Sequence, residues 1–219
     1  ATNGDMGAIY KMGECYEKEH GVNQDEKKAF ECYTKAANMG STEAMHRLGL
    51  CYEKGIGTNI NMKRAFKFYK LASEHGDSKA TRHLGMCYEK GIGVEIDEAK
   101  AFETYQLALS NGNFNAANNI GYCYQNGIGV TQNSRQAFTF YQLGSDKGVV
   151  SSMYNLAICY EEGRGCKANE IDAYRLFRLA SLKGHIPATT NLGICYLKGI
   201  GVEKSTKEAI RLFRISTNA

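Results

Sequence analysis

Apolar positions along the chain recur with helical spacing. Ala8, Met12 and Tyr16, then Ala44, Leu48 and Tyr52, stand at i, i+4 and i+8 and lay an apolar stripe along one side of a helix. A second pattern, Ala29, Phe30 and Tyr33 followed by Ala65, Phe66 and Tyr69, marks another helix that alternates with the first. Each layer is thus expected to hold an aromatic ring from each helix, and each buried phenol needs a polar partner. Gly13, Gly49, Gly85, Gly121, Ala157 and Gly193 lie beside the first stripe. Glycine inside a helix costs up to about 1 kcal/mol against alanine, so these positions predict close helix approach.

Punctuation sets the helix ends. The first helix is expected to open at Asp5, Ser41, Asp77 and Asn113, whose side-chain oxygens can accept unpaired first-turn N–H groups, whereas Val149 and His185 break that rule. It stops at Gly55, Gly91, Gly127, Gly163 and Gly199, where a left-handed turn needs no Cβ. The second helix opens at Asp25, Asn61, Asp97, Asn133, Asn169 and Ser205 and closes at Gly40, Gly76, Gly112, Gly148 and Gly184. Both helices come out at roughly 13 residues. The single proline, Pro187, falls in a first turn, where its missing N–H is harmless.

The helix pair is a tandem repeat. Cys15, Cys51, Cys87, Cys123, Cys159 and Cys195 follow one another at intervals of 36 residues, each with a tyrosine after it. The repeats run over 5–40, 41–76, 77–112, 113–148, 149–184 and 185–219 without insertion, so residues 1–219 are expected to form one all-α solenoid domain of helix-turn-helix units, each burying its apolar face on its neighbours.

The residues LGMCYEKGIGV from Leu84 to Val94, with KAFETYQLA from Lys100 to Ala108 and the closing Gly112, resemble the Sel1-like repeat, an αα-hairpin relative of the tetratricopeptide repeat. The resemblance covers nearly the whole chain, although the first repeat departs from it with Glu19 and His20 in its loop. It implies a right-handed superhelix with the first helices lining a concave side, and an adaptor role in protein complexes.

Composition narrows the function classes. At 219 residues and 43% hydrophobic content the chain can bury a core, and it has no apolar run of about 18 residues to span a membrane. The start at Ala1 and the end one residue short of a repeat boundary read as a segment excised or processed from a longer chain. The net charge of +4 is the total of repeats at −2, +3, −2, +1, +1 and +3, not a basic stripe, so nucleic acid is not an expected partner. Unpaired thiols and the lack of an Asn-x-Ser/Thr acceptor lean toward a cytoplasmic location, with the endoplasmic-reticulum lumen or secretion as the alternative for an excised segment.

No cofactor, metal or catalytic group is expected. The repeated Gly-Ile-Gly-Val, as at Gly91 to Val94, ends a helix instead of linking a strand to a lysine-bearing helix, so it is no phosphate loop. Packed helices lie about 8–10 Å apart, beyond the Cα spacing of about 7 Å that a disulfide tolerates, so the register cysteines are expected to be free packing residues. His20, His46, His75, His83 and His185 lack the paired spacing of a zinc helix and default to solvated surface, except that His46 and His83 fall toward the concave side.

Binding potential lies where the repeat varies. Opposite the core stripe stand Tyr10, His46, Arg82, Asn118, Tyr154 and Thr190, and then Glu14, Leu50, Met86, Tyr122, Ile158 and Ile194. The apolar members of the second row are either an exposed ligand-binding stripe or are covered by the adjacent helix. Glu17, Glu53, Glu89, Gln125 and Glu161 edge the row as a solvated rim. Lys11, Arg47, His83, Asn119, Asn155 and Asn191 come one position further along. Asn119, Asn155 and Asn191 resemble the inner residues with which tetratricopeptide domains hold chain-terminal carboxylates, or else make inter-repeat hydrogen bonds. The expected function is a non-catalytic protein-interaction scaffold that holds a peptide or helix of another protein on the concave face. Self-association into a homo-oligomer through the last helix, with Ile210, Leu212, Phe213 and Ile215, is the alternative. A hydrolase of the kind claimed for some secreted relatives has no residues to support it.

Overall fold

The computed structural model describes residues 5–18 and 23–218, and the loop residues Glu19 and His20 lie outside them. The described residues form twelve helices and no strand. They fold as two compact units that divide between Asn113 and Phe114.

The first unit holds α1 (Met6–Lys18), α2 (Glu26–Asn38), α3 (Thr42–Lys54), α4 (Met62–Glu74), α5 (Ser78–Lys90) and α6 (Glu98–Ser110). The second holds α7 (Asn115–Asn126), α8 (Ser134–Asp146), α9 (Val150–Glu162), α10 (Glu170–Leu182), α11 (Ile186–Lys198) and α12 (Thr206–Thr217). Within each unit an odd-numbered helix pairs with the even-numbered helix after it, and that helix packs on the next odd one. Within a unit, each repeat therefore buries its apolar face on its own hairpin and on the following one.

The caps explain where the helices begin. All six second helices start behind the expected residue, and the side chains of Asp25, Asn61, Asp97, Asn133, Asn169 and Ser205 each accept a first-turn N–H. Ser41 and Asp77 do the same for α3 and α5. Val149 caps nothing, as expected, but His185 corrects the expectation because its Nδ1 accepts from Ala188 N at 3.2 Å. That bond requires a neutral imidazole with Nδ1 unprotonated. The start of α7 also differs. Phe114 already has right-handed helical backbone, α7 begins at Asn115, and the Asn113 amide donates to Ser78 O at 2.9 Å.

The core follows the two stripes. Ala44, Leu48, Tyr52, Ala65 and Tyr69 are buried, as are their equivalents Ala80, Leu84, Ala101 and Tyr105. Burying each large side chain is worth about 1.5–3 kcal/mol. In the first repeat, however, Ala8 and Met12 are exposed, because among the described residues no helix covers that side of α1. The small residues do mark close approach. A Cβ on Gly121 would stand 2.6 Å from the Tyr141 ring, and one on Gly85 would stand 2.7 Å from Tyr105. The second-helix aromatic thus lies against the bare backbone of the first helix.

The loop glycines divide into two tasks. Gly91, at φ 71°, ends α5 in a left-handed turn. Gly93, also at φ 71°, seats the loop on the start of the preceding second helix, where a Cβ would come within 2.9 Å of Lys63 N and closer still to the Met62 carbonyl. Gly57, Gly165 and Gly201 repeat that seat on Glu26, Ser134 and Glu170.

Candidate functional site: the first-helix faces

The acidic edge has a structural role. The buried Tyr33 and Tyr69 hydroxyls donate to the carboxylates of Glu17 and Glu53, and Tyr105 donates to Glu89 at 2.5 Å. Tyr141 donates to Gln125 Oε1 at 3.1 Å. These residues correct the expectation of a solvated rim, because they are the polar partners that the buried phenols need. Phe177 and Phe213 replace the phenol in the last two repeats. Beside Phe177, Glu161 has its carboxyl pushed above the usual range by burial, and Leu197 stands where the last repeat would carry the acid. A sequence signal existed, since tyrosine and its acceptor stand 16 residues apart in four successive repeats.

The face of the first unit is charged and networked. Arg47 on α3 reaches Glu14 at 3.4 Å and Glu17 at 3.5 Å on α1. Lys11, first by its hydrogen bond, holds Glu14 below the ordinary carboxylate range. His46 Nε2 lies 3.0 Å from His83 Nδ1, so these two histidines bridge α3 and α5 and are not free in solvent. His83 also stacks on Tyr69 with ring centroids 5.1 Å apart. Burial, followed by Arg82 and then His46, pulls the His83 pKa down to about 3, and burial lowers that of His46. Both rings are neutral near pH 7. Arg82 places Nη1 3.2 Å from Met86 Sδ and Nη2 3.2 Å from His83 Nε2. Leu50 and Met86 are half-buried.

The corresponding face of the second unit is neutral and amide-rich. Asn155 Nδ2 donates to Asn118 Oδ1 at 2.9 Å, which ties α9 to α7. For Asn155 the inter-repeat reading therefore has its geometry, made between side chains and not through backbone. Asn119 and Asn191 are half-buried. Tyr154 lies between Phe177 and the capping His185, with ring centroids 6.0 and 4.7 Å away. Ile158 and Ile194 are half-buried, whereas Tyr122 is 44% exposed. The apolar row is thus neither fully open nor covered, and its aromatic stands furthest out. On α12, Leu212 is buried and Phe213 lies against Gly193, which leaves Ile210 and Ile215 exposed.

No disulfide links the eight cysteines among the described residues, and Cys51, Cys87, Cys123, Cys159 and Cys195 are buried. Burial raises Cys51 and Cys87 to about 12 and Cys159 and Cys195 to about 11, so these four are not reactive thiolates. Among the described residues no cluster of three or more His, Cys, Asp or Glu is placed to hold a metal, and no helix is long and apolar enough to cross a membrane.

Repeated helical hairpins that bury their faces on one another define an all-α repeat solenoid. The Sel1 repeat profile matches residues 7–41, 42–77, 78–113, 115–149, 150–185 and 186–219, and the chain belongs to the Sel1 repeat family. It is similar to the crystal structure of a Sel1 repeat protein from Oxalobacter formigenes, with 30% identity over 97% of this chain and 85% of that one and a TM-score of 0.90. It is also similar to c5321, a protective antigen present in uropathogenic Escherichia coli strains, with 30% identity and a TM-score of 0.79. That match covers 97% of this chain but 46% of that protein. The immunity protein Pa5087 from Pseudomonas aeruginosa shares the fold at 18% identity, with a TM-score of 0.67 over 100% of this chain and 83% of its own. No curated protein matches the chain by sequence. Sel1 repeats generally mediate protein–protein interactions.

Proposed function

We propose that the chain is a non-catalytic protein-interaction module that holds an extended peptide or helix of another protein on its first-helix faces. Leu50, Met86, Tyr122, Ile158 and Ile194 act as apolar anchors. Arg47, Arg82, His83, Asn118, Asn119, Tyr154, Asn155 and Asn191 act as polar selectors around them. The observation that carries the reading is Tyr122, a large aromatic 44% exposed on a helix whose opposite side packs against the core. Exposed aromatics of this kind serve as central anchors, because they offer a large contact area with little side-chain entropy to lose.

The test uses peptides selected by display on the intact chain. Tyr122→Ala should weaken their binding by about 2 kcal/mol or more, with the melting temperature nearly unchanged. A loss of several kcal/mol in stability with binding unaltered would place Tyr122 in the packing and remove the face from the proposal.

A further inference from the structure

In the first unit the two arginines of the α3 and α5 faces are treated very differently. Arg47 has two carboxylates, Glu14 and Glu17. Arg82 forms no ion pair among the described residues, and its contacts are the thioether of Met86 and the ring nitrogen of His83. Burial makes this costly enough to lower its pKa. A partly buried guanidinium is ordinarily matched by an anion.

Glu53 acts on it through its charge but forms no ion pair with it, and the protons around Arg82 show that its direct contacts supply no anion. Arg82 Nη2 can only donate, so His83 Nε2 accepts and the His83 proton sits on Nδ1. Nδ1–H of His83 then donates to His46 Nε2, which leaves the His46 proton on Nδ1, facing Asp77 Oδ2 at 4.0 Å. Both imidazoles are therefore neutral donors and acceptors in a chain that begins at Arg82 and ends at Asp77. The carboxylate lies at the far end, and Arg82 keeps its charge. Glu53 is engaged by the Tyr69 hydroxyl. The thioether and imidazole contacts are weak acceptors for a cation, and a carboxylate accepts from the guanidinium fork far better, in bidentate geometry.

We propose that Arg82 is the seat for a side-chain carboxylate of the bound partner, an Asp or Glu within an otherwise apolar stretch. The inference rests on the reading of the first-helix face as the binding surface and names the chemistry of what lies there. Leu50 on α3 and Met86 on α5 belong to the same row. A segment laid along that row passes Arg82 and does not stop at it, which favours a side chain over a chain end. On binding, the carboxylate replaces Met86 Sδ at Nη1, while the His83 contact holds the guanidinium plane in place.

The experiment titrates the intact chain, with labelled histidine rings, against three tripeptides. They are N-acetyl-Leu-Asp-Leu amide, its Asn analogue, and N-acetyl-Leu-Asn-Leu with a free carboxyl end. The expected result is a saturable shift of the His83 and His46 signals with the Asp peptide, no saturable shift with the Asn amide, and binding of the free-ended peptide at least several-fold weaker. Arg82→Gln should weaken the Asp peptide tenfold or more, and Lys67→Gln, which removes an exposed charge on α4 outside the face, should leave it within twofold. Arg82→Lys, which keeps the charge and loses the fork, should fall between wild type and Gln, and it carries the test if Arg82→Gln does not fold. Equal shifts with the Asp and Asn amides, absence of saturable binding, or undiminished binding in the folded Arg82 variant would each overturn the seat. Tighter binding of the free-ended peptide would overturn the choice of a side chain. If the seat fails while display-selected peptides still depend on Tyr122, the broader reading stands without it. If those peptides ignore Tyr122, the broader reading falls on separate grounds.

Discussion

Gly85 and Tyr105 offer a measurable test of how the repeat is held together. An alanine Cβ at residue 85 would lie 2.7 Å from two ring carbons of Tyr105, against a comfortable carbon contact of about 3.5 Å. The ring would have to retreat by about 0.8 Å. Its hydroxyl is held by Glu89 at 2.5 Å, so the retreat stretches or breaks that bond. Overpacking costs about 1–3 kcal/mol, while alanine returns up to about 1 kcal/mol of helix propensity. Gly85→Ala should therefore destabilise by about 1–2 kcal/mol although alanine is the better helix former. Tyr105→Phe should cost about 1.5–3 kcal/mol through the lost bond to a carboxylate. With the hydroxyl gone the ring is free to tilt, so the double variant should be less destabilised than the sum of the singles by about 1 kcal/mol. The chain carries its own precedent. Ala157 and Phe177 occupy these two register positions in the fifth repeat, and both are fully buried. Urea unfolding with an unchanged slope measures the cycle. Additivity within about 0.5 kcal/mol, or a net gain in stability from Gly85→Ala alone, would refute the account of a tethered ring against bare backbone.

Gly93→Ala should cost about 2 kcal/mol or more, because it combines a left-handed backbone with a collision on the Met62 carbonyl. A melting temperature within 2 °C of wild type, on the order of 0.5 kcal/mol or less, would show that the loop yields. The melting temperature should also fall as pH rises past about 8.5. The folded-state pKa values of the Cys51, Cys87, Cys159 and Cys195 thiols and the Tyr33, Tyr69 and Tyr141 hydroxyls lie above their unfolded values, so the stability they confer is complete at neutral pH and declines as pH rises, the thiols' share being lost through pH 11 to 12. A flat melting profile to pH 11 would contradict that burial. A thiol reagent should modify Cys15, Cys32 and Cys166 in the native protein well before the five buried cysteines, and should find all eight once the chain is denatured. Equal rates would show that the register cysteines are not packed.

The sequence made the helices legible because caps and terminal glycines obey local rules. Asp25, Asn61 and Asp97 work alike whatever lies across the helix. His185 was missed because histidine caps only as one neutral tautomer, which residue type does not reveal. The stripe at Leu48 and Tyr52 was legible, whereas its copy at Ala8 and Met12 was not, since burial there depends on a neighbour that periodicity cannot supply. The glutamate row was misjudged for a related reason. A charged residue at a helix edge reads as solvated until the phenol from the partner helix is placed beside it, and that placement follows from the glycine that lets the ring come close. The His46–His83 bridge combines two residues 37 apart in adjacent repeats, one step off the 36-residue register, so no single-repeat pattern marks it.

Positions that repeat and positions that vary therefore carry different information. Gly85, Tyr105, Glu89 and Gly93 have counterparts in most repeats, and each one answers a packing or hydrogen-bonding need visible in its own hairpin. The first-helix faces show no such uniformity. In one unit the face carries Arg47, Arg82 and a neutral histidine pair, and in the other it carries Asn118, Asn119, Asn155 and the exposed Tyr122. Folding needs explain Arg47, which is ion-paired, and Asn155, which bridges α9 to α7. They do not explain a half-buried cation that forms no ion pair among the described residues, or a tyrosine that leaves the core side of its helix. Both residues cost stability or solubility in isolation, so the compensating interaction is to be sought in a bound segment, with an acid for Arg82 and an apolar contact for Tyr122.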